Sequence, residues 1–108
     1  MANTFKSAAT GSTTAVTTMY TCPAATSAVV HAMYLSNVDG TNDATVTVSV
    51  SGSANFSTRR YLLKTVDVPA DSTVVIEKPI NLGAADKLET QASATGDIDV
   101  FASILEIT

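Results

Sequence analysis

SNVDGTNDATVTVSV, residues 36–50, contains the clearest β-strand pattern in the sequence. In its second half Val46, Val48 and Val50 alternate with small hydroxyl residues. Successive side chains of a β-strand point to opposite faces of the sheet, so this alternation predicts a strand over residues 44–51 whose valines face the core. The side chains predicted to face outward are those of Thr45, Thr47 and Ser49.

The first half of the same stretch carries a cluster of oxygen-bearing residues, namely Asp39, Gly40, Thr41, Asn42 and Asp43. Such a cluster can be a cation site or only the turn between two strands. A calcium loop of the EF-hand type needs ligands over twelve residues, a closing Glu and flanking helices, and the sequence offers none of these. Asp-Gly between two periodic strands is instead a strong hairpin signal, so we expect a hairpin turn.

The rest of the chain repeats this pattern of strands and turns. It is rich in Thr and Val, which favour strands, and no segment shows an apolar stripe at helical spacing. We expect an all-β fold without significant helix: an antiparallel β-sandwich with jelly-roll or Greek-key connections, or a flattened barrel. Residues 1–13 are small and polar apart from Phe5 and are expected to be an N-terminal arm or a loosely held first strand. Residues 14–108 are expected to form one sandwich domain.

Two of the predicted strands are apolar on both faces. In the strand over residues 28–38 one face would carry Val30, Ala32 and Tyr34, and the other Val29, Met33 and Leu35. In the last strand Ile98, Val100, Ala102 and Ile104 alternate with Phe101, Leu105 and Ile107. A sandwich strand of an isolated monomer normally has one polar face, so we expect a neighbouring subunit to cover the second apolar face.

Composition disfavours several functional classes. The net charge is −4 and charged residues make up 15% of the chain, which does not suit a nucleic-acid-binding surface. No apolar run is long enough to span a membrane, and the N-terminus lacks the apolar region of a secretory signal. The single cysteine, Cys22, is expected to be buried rather than nucleophilic, and the single histidine, His31, has no evident catalytic partners. We therefore expect no catalytic, cofactor-binding or metal site and no small-molecule substrate.

The one basic cluster is Arg59-Arg60-Tyr61. On a strand the two arginines point to opposite faces, which weakens any charged patch. The cluster can be a solvated or salt-bridged pair, or an anchor for a protein partner; a nucleic-acid contact is the weakest of the three. Phe5, a lone aromatic on a polar segment, is a second candidate anchor. Phe56 is the one aromatic in a predicted loop.

The segment YTCPAATSAVVHAMYLSNVDGTNDATVTVSV, residues 20–50, resembles small virion structural proteins of tailed phages, especially phages of aquatic bacteria. The second half follows the same pattern, with VPA at 68–70, PINL at 79–82, DKL at 86–88, GDIDV at 96–100 and LEI at 105–107. The resemblance spans residues 16–108. It implies a non-enzymatic virion component: a capsid decoration, or cement, protein or, as the alternative, a tail, baseplate, neck or fibre-base component.

The resemblance also implies the partners and the location. The partners would be the major capsid protein or other virion subunits, and a homotrimer is favoured. The location would be the capsid surface of a virion assembled in the host cytoplasm. The candidate interface residues are Phe5, Val29, Met33, Leu35, Arg59, Arg60, Tyr61, Phe101, Leu105 and Ile107.

Overall fold

A computed structural model of the protein describes residues 2–52 and 58–108. Phe56, the aromatic predicted in a loop, lies outside the described residues. Within them no helix occurs. The strands described are β1 (Asn3–Gly11), β2 (Thr17–Thr21), β3 (Ser27–Asn37), β4 (Ala44–Ser51), β5 (Arg60–Val68), β6 (Thr73–Ile76), β7 (Ile80–Leu82), β8 (Lys87–Ala92) and β9 (Ile98–Ile107).

These strands form two antiparallel sheets packed against each other. Sheet A has the order β1-β9-β3-β6, with the short β7 beside the first half of β3. Sheet B has the order β2-β8-β4-β5. With β6 and β7 sharing one strand position, the chain crosses between the sheets in the manner of a jelly roll, each sheet holding four strand positions. The predicted antiparallel β-sandwich is confirmed, and it is open at its edges rather than closed into a barrel.

The opening stretch connects the two sheets. Residues 38–43 leave β3 in sheet A and enter β4 in sheet B, so the predicted hairpin between these strands is wrong. The connection is held by the buried side chain of Asn37, whose Nδ2 donates to the carbonyl oxygens of Asn42 and Val68, both at 2.9 Å. The turn residues of this segment indicate a turn. Which sheet β4 joins after the turn depends on its pairing with strands far along the chain.

The core lies between the sheets, and the predicted alternations fill it. Val46, Val48 and Val50 of β4 are buried, which confirms their predicted orientation. Facing them from sheet A are the buried residues Ile98, Val100, Ala102 and Ile104 of β9, also as predicted. The hydroxyl residues of β4 lie on the outer side of sheet B. Thr47 there is nevertheless covered, and its Oγ1 accepts a hydrogen bond from the Thr65 backbone at 3.0 Å.

The segment predicted as an N-terminal arm is part of sheet A. Its residues 3–11 form β1, which pairs with β9 without interruption from Asn3 opposite Ile107 to Gly11 opposite Asp99. The expectation of a separate arm is therefore corrected to its alternative, a first strand. β1 is an edge strand whose side chains are mostly exposed, so its sequence shows little apolar alternation. For this reason the sequence suggests an arm rather than a strand.

A β-bulge in β3 changes which residues face the core. Val30 pairs with Ile104 and Ala32 with the adjacent Ser103, so one extra residue, His31, is inserted into β3. After the bulge the alternation shifts by one position. Met33 and Leu35, predicted as interface residues on the face of Val29, are instead fully buried in the core. Tyr34, predicted on the face of Val30, points outward instead and is 43% exposed.

Candidate functional site: an apolar outer sheet face

The outer face of sheet A combines aromatic and aliphatic side chains from four strand positions. Residues paired directly across an antiparallel ladder lie on the same face, so the register assigns the members. Phe5 pairs with Leu105, which pairs with Val29. Ala9 pairs with Phe101, which pairs with Tyr34, and Tyr34 pairs with Val75 of β6. We call this set the outer apolar face: Phe5, Ala9, Val29, Ala32, Tyr34, Val75, Phe101, Leu105 and Ile107.

These side chains are exposed to an unusual degree for their size. Phe5 is 78% exposed, Phe101 42% and Val75 39%. The rings of Tyr34 and Phe101 lie side by side with centroids 6.2 Å apart and form one aromatic patch. Contiguous exposed apolar surface on a small protein usually marks an interaction site.

The face carries almost no charge. Among the described residues that the register places there, Asp99 at one end is the one Asp, Glu, Lys or Arg. The other polar positions are mostly small: Ser7, Ser27, Ser36, Thr73 and Ser103, together with Asn3, Asn81 and the exposed His31 of the bulge. Depletion of charge together with aromatic enrichment is the composition of interface cores rather than of ordinary solvent-facing surface.

A groove of about 380 Å³ opens at the Asp99 end of this face. Its floor is formed partly by Ala9 and Gly11 of β1, and the rings of Phe101 and Tyr34 border it. The small residues leave space that larger side chains would fill. The groove can receive a ring or a branched aliphatic group from another surface.

The structure brings together half of the predicted interface residues and separates the rest. Phe5, Val29, Phe101, Leu105 and Ile107 share the outer apolar face. Met33 and Leu35 are in the core, as described above, and are corrected. Arg59, Arg60 and Tyr61 lie at β5, on the edge of the other sheet.

Sequence reasoning missed Tyr34 and Val75 as members of the face. Tyr34 was assigned to the wrong side because the bulge at His31 was not anticipated. A polar, exposed residue inside an otherwise apolar strand was the available signal, since an inserted residue often interrupts the alternation in this way. Val75 joins the face only through the pairing of β6 with β3.

Arg59 is salt-bridged, in agreement with one of the alternatives left open by the sequence. Its Nε lies 3.0 Å from Oε1 of Glu89, and its second guanidinium nitrogen donates to Oε2 at 3.4 Å. Burial is the largest single influence on the Glu89 carboxyl and acts to raise its pKa. The hydrogen bonds from Arg59 and Ser51 and the positive charges of Arg59 and Lys87 together outweigh burial and hold the pKa below its usual range. Arg59 thus ties β8 to the segment before β5. Tyr61 and Arg60 stay exposed, with Nζ of Lys64 4.7 Å from the Tyr61 ring centroid.

A second polar cluster closes the edge between the sheets. The Tyr20 hydroxyl donates to Glu106, and Nζ of Lys6 lies 3.1 Å from the same carboxylate. These two contacts lower the pKa of Glu106, while burial and the Glu106 hydrogen bond raise that of Tyr20. The Cys22 thiol lies beside this cluster and interacts with the Tyr20 hydroxyl.

The Cys22 thiol and the Asp39 carboxyl both form hydrogen bonds to backbone groups. Burial raises the pKa of the Cys22 thiol, which points at the carbonyl oxygen of Thr26 3.3 Å away. In the opening loop Oδ1 of Asp39 accepts hydrogen bonds from the backbone of Thr41 and Asn42, so it caps the turn. Over residues 2–52 and 58–108 no three His, Cys, Asp or Glu side chains are grouped so that they could hold a metal ion. The same residues include no long apolar helix of the kind that crosses a membrane.

Comparison with known proteins gives a fold relative. No protein-family model and no curated protein sequence matches the chain. A solved structure described under "Bacillus endospore appendages form a novel family of disulfide-linked pili" is similar, with a TM-score of 0.56 and 16% sequence identity. The match covers 99% of this chain and 87% of that one. At this identity the likeness shows a shared fold and nothing more.

Proposed function

We propose that this protein is a non-enzymatic structural subunit of a virus particle, and specifically a decoration protein on the capsid surface of a tailed phage. The outer apolar face is the observation that carries the structural role. A protein with one sheet face that carries almost no charge and exposes Phe5, Tyr34 and Phe101 is suited to permanent contact with another protein surface. Its partners would be the major capsid protein or other virion subunits, in a particle assembled in the host cytoplasm.

The protein would stabilise the shell through the surface that each subunit buries and through the number of subunits bound to one shell. Each docked subunit would remove apolar surface from water and bridge neighbouring subunits of the shell. A single contact of this kind is weak to moderate, but many bridges acting on one closed shell add their resistance to internal pressure. Catalysis is not needed for this role, and the buried Cys22 and turn-bound Asp39 are consistent with its absence.

The assignment to a phage particle is supported by the sequence pattern over residues 16–108 and by the jelly-roll topology, which recurs in viral capsid proteins. The trimer implied by the sequence resemblance stays a prediction.

A second candidate is a subunit of a tube or filament, such as a phage tail component. The fold likeness to a pilus protein, which covers nearly the whole chain, favours it. Those pili are described as disulfide-linked, whereas the single cysteine of this chain is buried with 1% of its surface exposed. Subunits of this protein would therefore have to associate through non-covalent contacts.

The deciding experiment is the copy number of this chain in purified particles, measured by quantitative mass spectrometry against the major shell protein. Hundreds of copies per particle support decoration, and a handful to a few dozen support a tail component. Absence from particles refutes both virion proposals. Particles lacking the protein should still assemble but release their DNA at lower temperature, and equal robustness would refute the cementing role.

A further inference from the structure

We propose that the outer apolar face docks onto the same face of a second copy of this chain, with Phe5 of each copy seated in the groove beside Phe101 of the other. The inference rests on the proposed structural role and assigns this face to the contact between two copies, so contacts with the shell would use the other surfaces of the pair. Three features of the face point to a second copy rather than to a different partner: its charge, its area and the placement of Phe5 relative to the groove.

The distribution of charge allows the outer apolar faces of two copies to contact each other. The chain carries a net charge of −4, so two copies repel each other over most of their surfaces. The outer apolar face has Asp99 at one end and neutral residues elsewhere among the positions described. An antiparallel approach of two such faces places the two Asp99 carboxylates at opposite ends, so no like charges oppose each other.

The area matches that of a stable protein pair. β3 has 11 residues and so extends about 36 Å at 3.3 Å per residue. Four strand positions at about 4.8 Å add a width of about 19 Å. The product is about 700 Å² per copy, inside the usual range for specific interfaces of roughly 600–1,000 Å² per partner.

Phe5 and the groove form a knob and a recess on one face. Phe5 lies toward one end of β1, while the groove lies between Ala9 and Gly11 toward the other end. A two-fold axis that lies between the two faces, perpendicular to the strands and level with the Ser7–Ala8 bond of β1, places Phe5 of one copy opposite Thr10 of the other, in the lining of the groove. The same axis applies in both directions, so both knobs and both recesses are used, which is the defining property of an isologous interface.

The sizes agree. The groove measures about 380 Å³, and a cavity of about 150 Å³ is enough to hold a benzene ring. The middle of the face, where the axis would pass, carries the small side chains of Ser7, Ala32 and Ser103, with the exposed His31 of the bulge beside Ala32. Leu105 and Val29 of one copy then cover Phe101 and Tyr34 of the other. A flat face can dock fully against only one other copy, so this arrangement is a pair and differs from the trimer implied by the resemblance.

The test begins with the mass of the full chain in solution, by sedimentation equilibrium. Interfaces of this size bind with micromolar affinity or better, so at about 100 µM the pair should dominate, with a mass twice the 11.1 kDa of the chain. Phe5→Asp and Phe101→Asp should each weaken pairing by about thirty-fold or more, as expected for an interface hot spot. Tyr61→Asp, which replaces an exposed aromatic on the opposite sheet, is the matched control and should leave the mass unchanged. Far-UV circular dichroism and a thermal melt establish that each variant is folded.

A second measurement does not depend on affinity. Ser7→Cys places a thiol next to the proposed axis, where a short bismaleimide can span the roughly 10 Å between packed sheets. Thr18→Cys on the other sheet is the control, and native Cys22 is buried. Rapid cross-linking at position 7 and slow cross-linking at position 18 support the pairing.

A mass of 11.1 kDa at high concentration, a trimer, or equal effects of Phe5→Asp and Tyr61→Asp would overturn the pairing. The outcome is separable from the proposed function. A monomeric chain found at hundreds of copies per particle would retain the structural role and reject the pair. A chain that pairs in solution but is absent from particles would retain the pair and reject the structural role in the virion.

Discussion

Replacing Met33 by Ala tests the central geometric result, the bulge that turns Met33 from the outer face into the core. Met33 is completely buried, so the substitution removes side-chain groups from a sealed interior. Three deleted heavy atoms at about 0.8 kcal/mol each give a transfer loss of about 2.4 kcal/mol. The residual cavity adds to this, which brings the expected loss of unfolding free energy to about 3–4 kcal/mol, inside the range typical of such truncations.

The matched control is Val29→Ala. Alternation without a bulge places Val29 and Met33 on the same face, so that reading predicts similar small effects for both. In the structure Val29 is half-buried on the outer apolar face, and its truncation should cost about 1 kcal/mol or less. Both variants are made in a Phe5→Asp background so that association does not contribute to the stability measured.

The assay is equilibrium unfolding in urea followed by far-UV circular dichroism, since the chain contains no tryptophan to report on its core. A loss below about 0.5 kcal/mol for Met33→Ala, or equal losses for the two variants, would show that β3 has no bulge at His31 and that the assignment of faces is wrong.

Three further predictions concern stability. A Cβ at Gly52 would collide with the carboxyl of Asp86 and lie 3.1 Å from its Cα, so Gly52→Ala should lower the free energy of unfolding in urea by about 1–3 kcal/mol. The control is Gly11→Ala, which should be nearly neutral because the nearest atom to its added Cβ is 3.8 Å away. Asn37→Ala leaves two carbonyl oxygens without their amide donor and should cost about 2–3 kcal/mol; a loss under about 0.5 kcal/mol in thermal melts would show that the connection is not held by this side chain. The pKa of Glu89 is lowered by folding, so its contribution to stability is present above about pH 4.3, the ordinary glutamate pKa, and is lost as the pH falls further. Glu89→Gln should flatten the acid limb of a stability–pH curve, and an unchanged limb would contradict the role of its ion pair.

The buried Asn37 is an example of a polar group that fixes a connection. Its amide also accepts a hydrogen bond from the Asp39 backbone at 2.9 Å, so one side chain satisfies groups on both sides of the crossing between sheets. Because unsatisfied polar groups are costly in the interior, this network favours one path for the chain over others. The oxygen cluster at residues 39–43 therefore serves the connection between β3 and β4.

The secondary-structure class, and the face on which many strand residues lie, can be predicted from local sequence patterns. The alternation of Val46, Val48 and Val50, and that of Ile98 to Ile104, is encoded in neighbouring residues, and a period of two leaves little choice of structure. The same alternation places Phe101 and Leu105 on the strand face opposite Ile98 to Ile104. Such local patterns do not depend on the partner strand.

Features that depend on pairing between distant residues became visible in the three-dimensional structure. The bulge at His31 exists because β3 pairs with β9, some 70 positions later, with one residue left over. The pairing of β1 with β9 made a strand of the expected arm, and that of β6 with β3 brought Val75 beside Tyr34. A one-residue insertion inverts every later side chain of a strand, and nothing within the strand compels it. Strands that are apolar on both sides predict that an apolar outer face exists. Which residues lie on that face depends on the register of strand pairing.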